Sequence, residues 1–178
     1  TPPKVTGYGY DGVGNITSET DALGRKTTYT YNKLNQRTAT QYVDGTNSTV
    51  VYDGNGNKTS ETDALGRTTT YTYDGLNRLL SQTIAGQSKR SMTYDANGNL
   101  TSRTDANGNI SKFSFDPLNR VVAETDALGR VTNTDYDKVG NKLQVTNPLR
   151  QARKWQYNAR NWVVVAQDEE GNQTKYSY

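Results

Sequence analysis

Aromatic residues recur along this chain at a fixed interval of 21 residues. They stand at Tyr10, Tyr31, Tyr52, Tyr73, Tyr94, Phe115, Tyr136, Tyr157 and Tyr178, with no insertion or deletion between them. A fixed period of this length is typical of proteins in which each repeat packs on its neighbours. The interval predicts a lead-in strand over residues 1–9, one array of eight repeats over residues 10–177, and the start of a ninth repeat at residue 178.

Each repeat carries two turn signatures, the first directly after the aromatic residue and the second ten residues further on. Asp or Asn at the first position accepts local backbone N–H groups, and Gly or Asn at the fourth tolerates the left-handed conformation that follows a type I turn. Tyr42 and Ile84 are the exceptions at the first position. The predicted structural turn residues are Asp11, Gly14, Asp21, Gly24, Asp53, Gly56, Asp63, Gly66, Asp95, Gly98, Asp105, Gly108, Asp116, Asn119, Asp126 and Gly129.

The segments between the turns are six or seven residues long and rich in Thr, Val and Tyr, as β-strands are. Short strands joined by tight turns pair antiparallel with their sequence neighbours. The sequence therefore predicts an all-β fold of tandem antiparallel hairpins, 21 residues each, forming one continuous curled strip. Most repeats place a second large side chain two residues before the recurring aromatic, on the same strand face, so we expect a structural aromatic ladder across the strip.

The fourth residue of the first turn alternates between Gly and Asn, which groups the repeats in pairs of 42 residues. The series is Gly14, Asn35, Gly56, Asn77, Gly98, Asn119, Gly140 and Asn161. Gly and Asn differ in side chain and in the cost of the left-handed conformation, so we expect alternate turns to curve the strip differently.

Composition favours a thin but ordered structure. Hydrophobic residues make up only 31% of the chain, which is low for a two-layer globule. A disordered chain would have few aromatic or β-branched residues and a high net charge. Here 13 Tyr and a net charge of +3 argue against disorder.

The absence of Cys and His narrows the chemistry that the chain can perform. Without Cys there is no disulfide or thiolate site, and without His the commonest metal ligand and general base are missing. Asp53, Asn55 and Asn57 resemble the start of an EF-hand loop, but Lys58 and Ala64 stand where that loop needs Gly and Glu. We predict no catalytic residue, metal site or cofactor, and hence no enzyme.

Two binding interpretations of the surface compete with structural ones. Arg25, Arg67 and Arg130 follow second turns and could contact nucleic acid, but acidic residues are interleaved throughout. Cross-strand pairs with Asp or solvated strand ends are favoured, and no specific nucleic-acid partner is predicted. The tyrosines could stack on a ligand, but their fixed phase relative to the turns favours packing. No stretch approaches the ~20 apolar residues that span a bilayer.

The repeats resemble a known family, the YD or Rhs repeats. The aromatic-Asp segments at 10–15, 52–57, 94–99 and 115–120 are similar to YD motifs, and the Asp-Ala-Leu-Gly-Arg segments lie at 21–25, 63–67 and 126–130. The resemblance covers residues 8–178. Related repeats occur in bacterial Rhs and WapA-type polymorphic toxins, in Tc toxin complexes and in animal teneurins, and the pattern here is similar to the bacterial members.

In the toxins of that family, the strip spirals into a hollow shell that encloses a C-terminal toxin domain until delivery by a type VI secretion system or a partner pore. The resemblance implies a non-catalytic segment of such a shell, in a secreted or cell-surface bacterial protein, with the rest of the shell and the toxin domain as partners. The alternative is an extracellular adhesive module that binds carbohydrate or protein through exposed Tyr and Asn. Exposed strand edges at both ends also predict self-association.

Overall fold

The computed structural model describes residues 7–87 and 89–178, and these residues form seventeen β-strands and no helix. Residues 1–6 of the predicted lead-in strand lie outside the described residues, and its remainder belongs to β1. The strands are β1 Gly7–Tyr10, β2 Ile16–Thr20, β3 Lys26–Tyr31, β4 Arg37–Gln41, β5 Asn47–Tyr52, β6 Lys58–Thr62, β7 Thr68–Tyr73, β8 Leu79–Ile84, β9 Arg90–Tyr94, β10 Leu100–Thr104, β11 Ile110–Phe115, β12 Val121–Thr125, β13 Val131–Tyr136, β14 Lys142–Thr146, β15 Ala152–Tyr157, β16 Val163–Gln167 and β17 Gln173–Lys175.

The chain divides into two compact units, Thr1–Lys89 and Arg90–Tyr178. In the N-terminal unit, each strand from β1 to β7 pairs antiparallel with the next strand along the chain. In the C-terminal unit, each strand from β9 to β16 does the same. The predicted fold of tandem antiparallel hairpins is confirmed.

The two kinds of hairpin differ in their pairing. We call the strands joined by a first turn a first hairpin, and those joined by a second turn a second hairpin. In the first hairpin of β3 and β4, Tyr31 pairs with Arg37 while Thr30 pairs with Ala39, so Thr38 is an extra residue, a β-bulge. Every first hairpin has such a residue at the same place, namely Thr17, Thr38, Thr59, Leu80, Thr101, Val122, Leu143 and Val164.

Second hairpins pair without a shift, but their ladders are short. Between β2 and β3 the pairs run from Thr20 with Lys26 to Ser18 with Thr28, and stop at the bulge of Thr17. A bulge bends its strand and disrupts the ladder locally. Successive first hairpins therefore lack regular backbone pairing at the end that carries the first turns. These bulges were not predicted from the sequence.

Several strands, among them β7, β11 and β13, have one sheltered and one exposed face. In β7, Tyr71 and Tyr73 are half-buried, whereas Thr70 and Thr72, which alternate with them, are exposed. No hydrophobic side chain is fully buried in the described residues, and the most buried polar residues include Ser81, at 3% exposure. The expectation of a thin, ordered structure agrees with this. Its stability comes from backbone pairing, cross-strand side-chain contacts and turn hydrogen bonds rather than from a core.

Candidate functional site

The turns have a common hydrogen-bond arrangement, which the second turn at Asp21 illustrates. Its Oδ1 accepts the backbone N–H groups of Leu23 at 2.8 Å and Arg25 at 3.0 Å, and its Oδ2 accepts the Arg25 Nε–H at 2.7 Å. The Gly24 N–H donates to the Asp21 carbonyl, and the Asp21 N–H to the Arg25 carbonyl, each at 3.0 Å. We call this arrangement the turn clamp. It satisfies the backbone groups that a three-residue hairpin loop leaves unpaired.

The fifth position of the turn, four residues after the Asp or Asn, completes the clamp with its side chain, except at Trp162, where only the backbone N–H donates to Asn158. It is Arg in Arg25, Arg67, Arg78, Arg120 and Arg130, Asn in Asn15, Asn57, Asn99, Asn109, Asn141 and Asn172, and Gln in Gln36 and Gln151. Arg25, Arg67 and Arg130 each pair with an Asp, but the partner is the first residue of the same turn rather than a residue across the strands. A general role of the fifth position was not predicted from the sequence, although the recurring Arg, Asn or Gln was visible.

The turn at Ile84 is different. Its positive φ of 75° lies at Gly86, the third position, and the Gln87 N–H donates to the Ile84 carbonyl at 2.9 Å. With no Asp or Asn at its first position, this turn has no clamp. The other exception, at Tyr42, keeps the backbone bonds of the common turn and has a substitute acceptor, Asp44, which accepts from the backbone and hydroxyl of Thr46.

The clamps alter the titration of the turn aspartates. The backbone N–H and then the side chain of Arg25 lower the pKa of Asp21 below its ordinary value of 3.8, against the opposing effect of desolvation. In turns with Asn at the fifth position, the side-chain amide is the main cause, as for Asp11 with Asn15. Each donor favours the ionised carboxylate, so the clamp and the negative charge stabilise each other.

A second set of hydrogen bonds links successive first turns within each unit. The Asn15 Nδ2–H donates to the Asn35 Oδ1 at 3.0 Å, and the Asn57 Nδ2–H donates to the Asn77 Oδ1 at 2.7 Å. The C-terminal unit has the same bonds from Asn99 to Asn119 and from Asn141 to Asn161. Between one such pair of repeats and the next, the link is made by a fifth-position side chain and a backbone carbonyl. Gln36 and Arg120 donate to backbone carbonyls of the first turn that follows.

These links give the 42-residue alternation a physical role. The Asn at the fourth position, as in Asn77 with φ of 62°, offers a carbonyl oxygen that the Gly of the preceding repeat cannot offer. The preceding repeat supplies the donor, Asn57, at its fifth position. The expectation that alternate turns curve the strip differently stays a prediction. The hydrogen bond between paired repeats was not anticipated.

Most of the recurring tyrosines bridge the same edge. The Tyr31 hydroxyl donates to the Ile16 carbonyl at 2.8 Å, and the Tyr73 hydroxyl donates to the Lys58 carbonyl at 2.9 Å. Tyr52, Tyr157 and Tyr178 make the equivalent bond, always to the residue 15 positions earlier. The acceptor is the first residue of its strand and directly precedes the bulge residue. The phenol therefore connects two strands at a point where the backbone hydrogen bonds between them have ended. Phe115 has no hydroxyl for this bond.

The described residues contain no group of three His, Cys, Asp or Glu side chains arranged to hold a metal ion. They also contain no helix with the length and apolar character that crossing a membrane requires. What the repeated geometry provides is a series of polar turns and an edge cross-linked by phenol and amide groups. This arrangement is suited to building an extended wall.

Comparison with protein families gives one match, to the family model described as RHS Repeat. It covers residues 5–46, 52–89 and 94–131, which is more than half of the chain. No curated protein sequence matches the chain.

Solved structures similar to this chain include two Tc toxin assemblies. One is the Photorhabdus luminescens Tc holotoxin pore with a mutated TccC3, at a TM-score of 0.59 and 14% identity over 97% of this chain. Another is the crystal structure of TcdB2-TccC3-Cdc42, at a TM-score of 0.56 and 17% identity over 89% of this chain. The chain spans only 13% and 9% of the length of those chains. At these identities the similarity concerns the fold.

Proposed function

The chain belongs to the RHS repeat family, and we propose that it is a non-catalytic wall segment of a larger shell that encloses a C-terminal toxin domain. The observation that supports this role most directly is the cross-linking of successive repeats at the first-turn edge. Each such bond joins one repeat to the next, so the same contacts can extend the wall over any number of repeats. The similarity in fold to Tc toxin assemblies is consistent with this.

The rest of the proposal concerns the parent protein. The partners of this chain are the remaining repeats of the shell and the enclosed domain. The parent protein is exported from a bacterial cell, by a type VI secretion system or through a partner pore. The two ends of the described array expose unpaired strand edges, which would join further repeats in the parent and would pair with other copies in the isolated chain. Light scattering across a concentration series tests that self-association, and a monomer at every concentration contradicts it.

Protease protection tests the enclosure. The parent protein is compared with its isolated C-terminal domain under limited proteolysis, and the survival of that domain is followed over time. Enclosure predicts that the domain is cut much more slowly inside the parent, because the wall excludes the protease. Equal rates of cleavage contradict the proposal, as does a parent gene with no domain after the repeats.

A further inference from the structure

The pentapeptide Asp-Ala-Asn-Gly-Asn occurs twice in the C-terminal unit, at residues 95–99 and at residues 105–109. The first copy forms a first turn and the second copy forms a second turn. Asn followed by Gly is prone to lose its side-chain amide as ammonia, because Gly has no side chain to hinder the attacking backbone nitrogen. We propose that Asn107 is a site of spontaneous deamidation in the folded protein, whereas Asn97 is protected. This modification is independent of the proposed wall function.

The reaction at Asn107 needs only the protein and water. The backbone nitrogen of Gly108 loses its proton to hydroxide, attacks the side-chain Cγ of Asn107 and forms a new N–C bond. The Cγ–Nδ2 bond breaks, and Nδ2 takes a proton from water and leaves as ammonia, so that a succinimide ring remains. Water then adds to one of the two ring carbonyls and opens the ring, which gives aspartate or isoaspartate.

Both turns hold the attacking nitrogen in the same way. The Gly98 N–H donates to the Asp95 carbonyl and the Gly108 N–H donates to the Asp105 carbonyl, each at 3.1 Å. Both glycines are left-handed, with φ of 92° and 82°. In either turn the nitrogen can attack only after this hydrogen bond has broken. The free energy of local opening therefore controls the rate of deamidation.

The side-chain amides distinguish the two sites. The Asn97 Nδ2–H donates to the Asn119 Oδ1 of the next first turn at 3.2 Å. Asn55, in the third Asn-Gly step of the chain, makes the equivalent bond to the Asn77 Oδ1 at 3.1 Å. Within residues 7–87 and 89–178, the Asn107 side chain has no hydrogen-bond partner. Its Cγ can therefore rotate towards the glycine nitrogen without first breaking a cross-link between repeats.

The clamps around the two sites differ in the same direction. Asp95 and Asn99 of the first turn are half-buried, whereas Asp105 and Asn109 of the second turn are exposed. Water competes more easily for the hydrogen bonds of an exposed clamp, so the second turn opens at a lower free energy. The missing cross-link and the exposed clamp both favour reaction at the second turn.

Peptide mapping of the aged protein measures both sites in one sample. The whole chain is incubated in mildly alkaline buffer, and trypsin then places Asn97 and Asn107 in different peptides, residues 91–103 and 104–112. Mass spectrometry follows the mass increase caused by replacing NH2 with OH, and fragmentation assigns it to one Asn. We expect deamidation to be at least about fivefold faster at Asn107, the factor that one hydrogen bond of about 1 kcal/mol gives.

Unfolding provides the baseline for this comparison. In concentrated urea the two identical pentapeptides lose their different surroundings, so their rates should converge. A difference that persists in urea would come from the flanking sequence rather than from the fold, and it would overturn the proposal.

Asn119→Gly is the decisive variant, because it removes the acceptor of the Asn97 amide. Asn119 has φ of 61°, and Gly occupies this position in alternate first turns, so the substitution suits the backbone. We expect Asn97 to react about fivefold faster in this variant, while Asn107 keeps its wild-type rate. Asn161→Gly makes the same change one pair of repeats further along and should alter neither rate.

Asn107→Leu verifies which residue reacts in the peptide of residues 104–112. Leu occupies the same turn position in Leu23 and Leu65, so the substitution suits the turn. The peptide from this variant should keep its mass during incubation. Continued deamidation would place the reaction at Asn109 and overturn the proposal.

Three further outcomes also overturn the proposal. The first is an equal or faster reaction at Asn97 than at Asn107 in the folded wild type. The second is an unchanged rate at Asn97 in Asn119→Gly. The third is an unreactive Asn107 in the folded chain under conditions in which the urea sample reacts. None of these outcomes affects the test of the wall function, which measures protection of a different domain.

Discussion

The first-turn and second-turn edges of the strands use the same clamp but differ in what surrounds it. At first turns, the paired side chains of Arg120 and Asp116 are only 24% and 15% exposed. At second turns, those of Arg130 and Asp126 are 60% and 37% exposed. Successive first turns are joined by amide and phenol hydrogen bonds. Within the described residues, hydrogen bonds from second-turn clamp side chains stay inside one turn.

The difference shows that side-chain cross-links occur at the edge where regular backbone pairing between repeats ends. Near the second turns, strands that belong to successive second hairpins stay paired through the first-hairpin ladder, as Thr28 is with Gln41, so this edge needs no side-chain bridge. First hairpins carry a bulge in their second strand. The backbone pairing of that strand with the first strand of the next repeat ends at the bulge. Tyr and Asn side chains then supply the missing connections at that edge. We therefore expect substitutions at the first-turn edge to cost more stability than matched ones at the second-turn edge.

Acidification should produce the largest effect, because it acts on all charged clamps together. The pKa values of Asp116 and Asp126 are both lowered, mainly by the backbone N–H of the Arg that completes each clamp. A lowered folded-state pKa gives stability that is present above the unfolded-state pKa and is lost as the pH falls through the folded-state value. The urea midpoint should stay flat near neutral pH and fall below about pH 4.

Replacement by Asn separates the contribution of each edge to this acid response. Asn147 already forms a clamp with Gln151, so an amide can hold the turn without titrating. Asp116→Asn should reduce the acid sensitivity more than Asp126→Asn, because the more sheltered clamp depends more on its charge. A wild-type midpoint that does not change between pH 7 and pH 2 would show that the clamps contribute little to stability.

Removing single clamps should give the next largest effect. Asp116→Ala leaves the N–H groups of Leu118 and Arg120 without an acceptor and releases an Arg that also donates to the Asp137 carbonyl of the next first turn. Asp126→Ala leaves the same two kinds of N–H unpaired, but water reaches them more easily. We expect the melting temperature to fall in both variants and further in Asp116→Ala. An equal fall would contradict the proposed difference between the edges.

A pair of hydroxyl substitutions tests the bridging role of the tyrosines. Tyr73→Phe removes the bond to the Lys58 carbonyl and should lower the free energy of unfolding by about 1 kcal/mol. Phe115→Tyr places a hydroxyl where the corresponding acceptor would be the Leu100 carbonyl, and should raise that energy by up to about 1 kcal/mol. Urea unfolding of both variants measures the changes. If both are neutral, the phenols only pack, and the edge is held by its amides.

Turns can be predicted from a sequence because their chemistry is local. Asp21 and Gly24 are three residues apart, and their preferences follow from the conformation of one turn. The bulge at Thr17 was not predicted, because the extra residue becomes visible only when the partner strand is aligned. The bonds from Asn57 to Asn77 and from Tyr73 to Lys58 depend on that alignment as well. The alternation of Gly and Asn indicated pairing of repeats, but not which atoms meet.

The pairing of Trp155 with Ala166 was beyond the reach of the sequence for a related reason. The two residues face each other only because the strands pair with the shift at Val164. Without that shift, the pairing of Tyr157 with Val163 would place Trp155 opposite Val165. Knowledge of the bulge would have been enough to identify the Ala opposite the Trp.

Two glycine substitutions at left-handed positions should give the smallest effects, of opposite sign. Asn77 at the first-turn edge and Arg150 at the second-turn edge have nearly the same φ, 62° and 65°. Gly relieves backbone strain at either position. Asn77→Gly also removes the acceptor for Asn55 and Asn57, so the variant should lose a net ~0.5 kcal/mol. Arg150→Gly removes no such bond and should gain about 0.5–1 kcal/mol.

Chemical unfolding of these two variants isolates the cross-link from the turn, because the backbone change is the same in both. Opposite signs mean that the Asn was retained at the first-turn edge for its bond to the preceding repeat, despite the conformational cost. If both variants are stabilised, the amide bond contributes less than the strain it requires, and the hydrogen bonds of the tyrosines contribute more than the amides to holding the first-turn edge together.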